Sequence, residues 1–383
     1  MRVLLSSTWG HGHVFPMVPL ARAFAAAGHS VLWATSEPAC LLVSAAGLEA
    51  ASAGLDSEGV RQVKQQLRAG LVGRRPEDRA AFAFPHMFGA WATPAMVSDL
   101  LGLAREWQPD LMVHENAELA APLVGAVLGI RTVTHSFGGA VPPSFLVEAG
   151  QRLAALWTAH GLTVPTHAGA FAGTYLDICP PSVQTVSLDH IPMRQALRPV
   201  PYTGEPIGAS PDVLDHDDPR PLVYLTLGTV QNHPDVLAAA VRAMAEFGTR
   251  ILVTVGPDGD PAALGPQPEH VCVERWVSQT DVLPHCAAVI SHGGSGTFLG
   301  ALSLGIPQLC LPQAADQFRN ARAVVETGSG LALHPDEVTP AALTAAAGRI
   351  LHETSFREAA TGLAKVIRDM PSPAEVVSIL EQD

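Results

Sequence analysis

The chain has 383 residues, about twice an ordinary domain, so two cores of similar size are expected. A composition of 48% hydrophobic and 15% charged residues excludes a disordered or fibrous chain, and a net charge of −13 with no basic patch excludes nucleic acid and anionic lipid as expected partners. Cys40, Cys179, Cys272, Cys286 and Cys310 stand singly, which fits neither a disulfide scaffold nor a zinc site and suits a reducing cytoplasm.

The chain opens on the strand-like Val3-Leu4-Leu5 without a secretory pattern, so no cleaved leader is expected. Apolar runs such as 306–312 fall far short of the ~20 residues that a membrane-crossing helix needs. Residues 3–7 read as a strand, and 16–27 as a helix burying Met17, Leu20, Ala21 and Phe24 at i, i+3, i+4 and i+7, stopped by Gly28. A second strand follows at 31–35, and a further βαβ unit at 111–114, 117–128 (capped by Gly129) and 131–135.

Residues 198–221 hold six prolines and the acidic run 215–218, a composition suited to a linker. The expected organisation is an N-terminal domain over 1–203, a linker over 204–218 and a C-terminal domain over 219–360, with helices over 361–383 crossing back to the N-terminal domain. In the second domain strands are expected at 222–227, 250–255, 271–274, 288–291, 306–311 and 331–333. Short apolar strands alternating with alanine-rich helices predict an α/β chain with two Rossmann-like parallel sheets.

The most specific segment is Ser291-His292-Gly293-Gly294-Ser295-Gly296-Thr297, placed between an apolar strand and a helix. Its glycines allow close backbone approach, and the unpaired amides and dipole of the new helix favour a diphosphate. Ser295 and Thr297 offer hydroxyls, and His292 offers a hydrogen bond or, when protonated, a charge; a glycine-rich turn with no ligand is the plainer alternative. The loop after the next strand carries Asp316-Gln317, a carboxylate and an amide that can meet sugar hydroxyls beyond the carboxyl edge of the same sheet.

In the first domain Trp9-Gly10-His11-Gly12-His13 links strand to helix at a carboxyl edge, where a neutral histidine can accept a proton. Glu115 ends a strand expected to lie beside the first, across the point where strand order reverses, and can orient the imidazole. For these two residues a capping histidine and an ordinary helix-start acid are the alternatives.

Together these segments resemble family 1 glycosyltransferases, inverting enzymes of the GT-B fold, and among them the bacterial enzymes that decorate enediyne, macrolide and polyketide antibiotics. The resemblance covers the whole chain. It implies two Rossmann-like domains with parallel sheets facing an interdomain cleft, a dTDP-sugar as co-substrate and no metal. It matches His13 to the general base and Glu115 to a position where the family usually has aspartate, with His114 and Glu118 as fallbacks. It further assigns Gly228-Thr229 to phosphate and Trp276-Val277 to the nucleotide base, beside His292, Gly293, Gly294, Ser295, Gly296, Thr297, Asp316 and Gln317 for the donor.

Phe84, Met87, Phe88 and Trp91 are candidates for an apolar acceptor pocket, a core-facing helix being equally compatible with their spacing. The expected partners are a hydrophobic small-molecule acceptor and the nucleotide sugar, with a homodimer as the one protein assembly entertained. Asp258-Gly259-Asp260 superficially resembles a metal-diphosphate motif, but Pro257 and Pro261 around it suggest a surface turn. Two rival functions on the same scaffold are a sugar-nucleotide epimerase and a catalytically silent nucleotide-binding partner.

Overall fold

Runs of valine, leucine and isoleucine with no polar alternation demand burial on both faces, and a parallel sheet covered by helices supplies it. The computed structural model describes residues 1–204, 214, 218–228, 234–257 and 259–382. Its first sheet holds β1 (Arg2–Ser7), β2 (Ser30–Thr35), β3 (Glu49–Ser52), β4 (Leu111–Glu115), β5 (Arg131–His135), β6 (Thr174–Asp177) and β7 (Arg194–Ala196). The second holds β8 (Leu222–Thr226), β9 (Arg250–Thr254), β10 (Val271–Glu274), β11 (Cys286–Ser291), β12 (Gln308–Cys310) and β13 (Gly330–Ala332).

Strand order is β3-β2-β1-β4-β5-β6-β7 in the first sheet and β10-β9-β8-β11-β12-β13 in the second, and every pairing is parallel. Order therefore reverses between β1 and β4, and again between β8 and β11. Loops leave these adjacent strands on opposite sides of the sheet, opening a crevice at each carboxyl edge where ligands bind in such folds. Along β8 the two-residue strand period sends Val223 and Leu225 to one buried cluster and Leu222 and Tyr224 to another, so helices cover both faces.

The chain divides into two compact units, one comprising Met1–Cys179, Val186–Arg198 and Met370–Asp383, the other Pro180–Thr185 and Pro199–Asp369. The passage between them falls at 198/199, and most of the predicted linker 204–218 lies outside the described residues. The C-terminal return comes at 370 rather than 361. Helix Thr354–Arg368 buries Phe356, Ala360, Leu363, Ala364 and Ile367 and stays with the second unit, and only the capped helix Pro373–Leu380 joins the first. There Arg131 donates to the Leu380 carbonyl at 2.5 Å and His29 pairs with Glu381 at 2.8 Å.

Candidate active site

In the first unit β1 runs out at Ser7, and Gly10 turns the chain at φ +100, a conformation that side chains other than glycine resist. The turn opens the short helix His11–Val14 that carries His13. Glu115, the last residue of β4 and wholly buried, brings Oε1 to 3.0 Å from His13 Nδ1. The same oxygen accepts the Thr8 hydroxyl at 2.8 Å and the Thr8 N–H at 3.2 Å, while Oε2 accepts the Ala117 N–H.

An ionised carboxylate only accepts, so Nδ1 carries the imidazole proton and Nε2 is left with its lone pair. Burial pushes the Glu115 carboxyl up, but the adjacent His13 and the donors from Ala117 and Thr8 outweigh it and hold the group below its ordinary 4.5. The His13 ring is 21% exposed and packed between Phe88 and Phe137, at centroid distances of 5.2 and 5.1 Å. We expect Glu115→Asp to lower kcat about tenfold, because one methylene less pulls the carboxylate off the imidazole. Steady-state rates with intact nucleotide affinity would check this, and an unchanged rate would remove Glu115 from the orienting role.

The fallback residues are turned elsewhere. His114 is wholly buried, its Nε2 lies 2.9 Å from the Thr134 hydroxyl, and burial pushes its pKa down to about 4. Glu118 is 1% exposed and accepts the Ser6 hydroxyl at 2.6 Å and the amides of Ala120 and Ala121 at 2.7 and 3.1 Å.

Burial nevertheless pushes Glu118 up to about 7 from an ordinary 4.5. The folded protein then retains a proton that the unfolded chain loses above pH 4.5, so this group's contribution to stability falls as pH rises from about 4.5 to about 7, by at most about 3 kcal/mol. Glu115 acts in the opposite sense: its lowered pKa contributes stability above 4.5 that is lost as pH falls through the folded value. Melting midpoints across pH 5 to 8 should decline less steeply in Glu118→Gln than in the parent, and parallel profiles would refute the assignment.

The four acceptor candidates divide. Phe84 and Phe88 are 8% and 6% exposed and belong to the core, yet Phe88 also forms one wall around His13. Met87 and Trp91 are only partly buried, with Trp91 5.8 Å from the His86 ring. The helix Arg79–Phe84 continues through a π-helical stretch, Pro85–Ala92, into helix Thr93–Trp107, so spacing read at 3.6 residues per turn does not apply here.

In the second unit β11 delivers His292 beside the end of β8. The ring sits between two glycines: a Cβ added at Gly228 would lie 2.5 Å from His292 Cε1, and one at Gly294 2.4 Å from Nε2. Burial pushes His292 below the ordinary imidazole value, with Asp316 and the Thr226 carbonyl opposing it. Helix Ser295–Ser303 begins after Gly294, which has no side chain to cap it, and its first backbone bond runs from Phe298 to the Gly294 carbonyl at 2.9 Å. The amides of Ser295, Gly296 and Thr297 therefore precede helical pairing and face the helix start.

The hydroxyls there are engaged internally. Ser295 donates to Asp316 Oδ2 at 2.5 Å, and Thr297 lies 3.1 Å from Nε2 and 3.2 Å from Oε1 of Gln279. Gln317 Oε1 accepts the amides of Gln313 and Ala314 at 2.8 and 2.9 Å, leaving its Nε2 without a partner among the described residues. Trp276 is half-buried just beyond β10, and Val277 is a core residue. Thr229 and Asp258 lie outside the described residues, while Asp260 caps the turn Pro261–Leu264 by accepting the Ala262 N–H at 3.0 Å.

Both units thus place polar groups at their reversal points, and comparison with known proteins says what kind of protein does so. Two family models match, described as the N-terminal domain of erythromycin biosynthesis protein CIII-like proteins over residues 22–228 and the C-terminal domain of the same over 238–382. The chain belongs to this family. Among similar proteins is L-demethylnoviosyl transferase of Streptomyces niveus, 35% identical over 98% of this chain and 96% of that protein. A structure of the spinosyn rhamnosyltransferase SpnG with spinosyn aglycone is 30% identical, at TM-score 0.82 over 100% of both chains. Another, the glycosyltransferase SsfS6 of Streptomyces sp. SF2575 with thymidine diphosphate, is 29% identical at TM-score 0.80, again over 100% of both.

This CIII-like chain is a glycosyltransferase of the GT-B fold, as its sequence led us to expect. Three residues beside the candidate site escaped the sequence reading. Asn320 bridges the Gly293 carbonyl at 2.9 Å, Ser295 Oγ at 3.1 Å and Asp316 Oδ2 at 3.1 Å, tying the two donor loops together, and it stands one helical turn beyond Asp316. Gln313 is 9% exposed with neither amide atom partnered among the described residues. Phe137 left no periodic signal, since it follows β5 in an irregular loop. No helix among the described residues is long and apolar enough to cross a membrane.

Proposed function

We propose that the protein transfers a deoxysugar from a dTDP-sugar to a hydroxyl of a hydrophobic natural product such as a polyketide, with inversion at the anomeric carbon. The observation that carries this reading is the buried Glu115 carboxylate 3.0 Å from His13 Nδ1, which leaves Nε2 to take a proton. Relatives of this chain bear the names of sugar transferases, and one is complexed with thymidine diphosphate.

In this mechanism His13 Nε2 takes the acceptor O–H proton as the oxygen bonds to the anomeric carbon. The carbon–oxygen bond to the diphosphate breaks with its electron pair, and the departing charge is met by the amides of Ser295, Gly296 and Thr297 and by the His292 N–H. Gly228 and Thr229 belong to the same phosphate site, Trp276 and Val277 to the base, and Asp316 and Gln317 to the sugar. Phe88, with Phe84, Met87 and Trp91 about it, belongs to the acceptor. No metal is required, the five cysteines stay reduced in the cytoplasm, and a homodimer is compatible with the activity.

A panel of dTDP- and UDP-sugars against phenolic and polyketide acceptors, read by product mass and anomeric coupling, tests the reading. The expected product is an inverted glycoside from a dTDP-sugar, formed at full rate in the presence of a chelator. Nucleotide release or an altered sugar without any glycoside would instead support the epimerase.

A further inference from the structure

In the first unit a line of buried side chains ties the end of β1 to the end of β2, where Ser7 and Thr35 face each other in the sheet register. The Trp33 indole can only donate, and it gives its N–H to Ser7 Oγ at 3.0 Å. Ser7 in turn donates to Thr35 Oγ1 at 3.2 Å, and the Thr35 proton is left for the carbonyls of Ser7 and Thr8, 3.0 and 3.2 Å away. A donor-only group at one end thus sets the direction of every proton in the line, and the line ends on the Thr8 peptide.

Thr8, itself buried, turns its remaining polar groups to Glu115. Its N–H and its hydroxyl both donate to Oε1, at 3.2 and 2.8 Å, and the same oxygen lies 3.0 Å from His13 Nδ1. Three donors therefore converge on one carboxylate oxygen, two of them from a single residue, while Oε2 takes the Ala117 N–H. A glutamate side chain has three rotatable bonds, and fixing them costs conformational entropy that burial alone does not direct toward one orientation.

The other ionisable neighbours are engaged elsewhere. His114 meets Thr134, His135 Nδ1 donates to the Ser136 carbonyl, Glu118 accepts from Ser6, and the His11 ring packs on Phe15 at a centroid distance of 5.0 Å. Phe88 and Phe137, which flank the His13 ring, carry no hydrogen-bonding side-chain group.

We propose that Thr8 is a positioning residue that aims Glu115 Oε1 at His13 and so keeps the imidazole in the Nδ1–H tautomer, the form that leaves Nε2 able to take a proton. The hydroxyl supplies the shorter of its two bonds, and the line from Trp33 holds the Thr8 peptide in place behind it. This deepens, and rests on, the transferase reading above.

The test reads the tautomer directly, from proton–nitrogen correlation spectra of histidine-labelled protein in mildly alkaline buffer, with His13→Gln identifying the His13 signals. The parent is expected to show one form, with the proton on Nδ1. Thr8→Val, which keeps the shape and loses the hydroxyl, should show both tautomers and lower kcat about fivefold with KM for the nucleotide sugar unchanged. Thr8→Ser should restore both properties. Thr8→Ala also lacks the hydroxyl and is read in the same way, so the outcome does not hang on the folding of one variant. In Glu115→Asp, whose carboxylate is drawn back from Thr8, adding Thr8→Val should cost less than about twofold more. A single Nδ1–H form in the valine or alanine variant, or mixed forms in Thr8→Ser, overturns the assignment. Thr8-dependent tautomers in a protein that transfers no sugar would refute the transferase reading while leaving the role of Thr8 standing.

Discussion

His13→Ala is expected to lower kcat about 10³-fold while changing the affinity for thymidine diphosphate less than twofold. Such a loss corresponds to about 4 kcal/mol of transition-state stabilisation, the scale of one well-oriented general base. The expectation follows from geometry. The carboxylate of Glu115 is wholly buried and held by four donors, one of them His13 Nδ1, so it is placed to fix one tautomer of that ring. Neither neighbour can substitute, because His114 is buried and held near pKa 4, and Glu118 is committed to Ser6 and two backbone amides. The variant should regain rate as pH rises toward ionisation of a phenolic acceptor, whereas the parent should not need that ionisation. Kinetics across pH 6 to 10 with calorimetric nucleotide binding would show the split, and undiminished turnover would remove His13 from the reaction.

Much of this could be read from the sequence because parallel sheets leave a strong imprint. Fully buried strands are uninterrupted apolar runs, and all six strands of the second sheet fall within two residues of where the runs place them. The pairing of His13 with Glu115 was legible for the same reason, since strand order alone sets β1 beside β4. Strands β3, Glu-Ala-Ala-Ser, β6, Thr-Tyr-Leu-Asp, and β7, Arg-Gln-Ala, escaped notice because each is only three or four residues long and its pairing comes from its neighbours rather than its own propensity. Proline at 85 inside a helical run looks like a stop, but the chain absorbs it in a π-helical stretch, which changes the faces that Met87, Phe88 and Trp91 present. Hydrogen-bond partners were the least legible feature. Ser295 and Thr297 look like ligands in a glycine-rich loop, and only coordinates reveal that Asp316 and Gln279 already hold them.

That internal engagement shapes the second large effect. With the loop hydroxyls hydrogen-bonded internally, the proposed reading gives the helix-start amides and the His292 ring a large share in receiving the leaving diphosphate. His292→Ala should therefore lower kcat/KM for the donor about 10²-fold and weaken thymidine diphosphate binding about tenfold, in contrast to His13→Ala, which should affect turnover alone. Gly294→Ala separates the ring's chemistry from its packing. A methyl there would stand 2.4 Å from His292 Nε2, so the ring must move although its chemistry is unaltered. If the ring acts by donating to the diphosphate, both variants should share the loss of donor affinity. If it merely fills the space between Gly228 and Gly294, His292→Ala should instead lower the melting temperature and spare donor affinity, because a lost packing contact costs stability whether or not the nucleotide is bound.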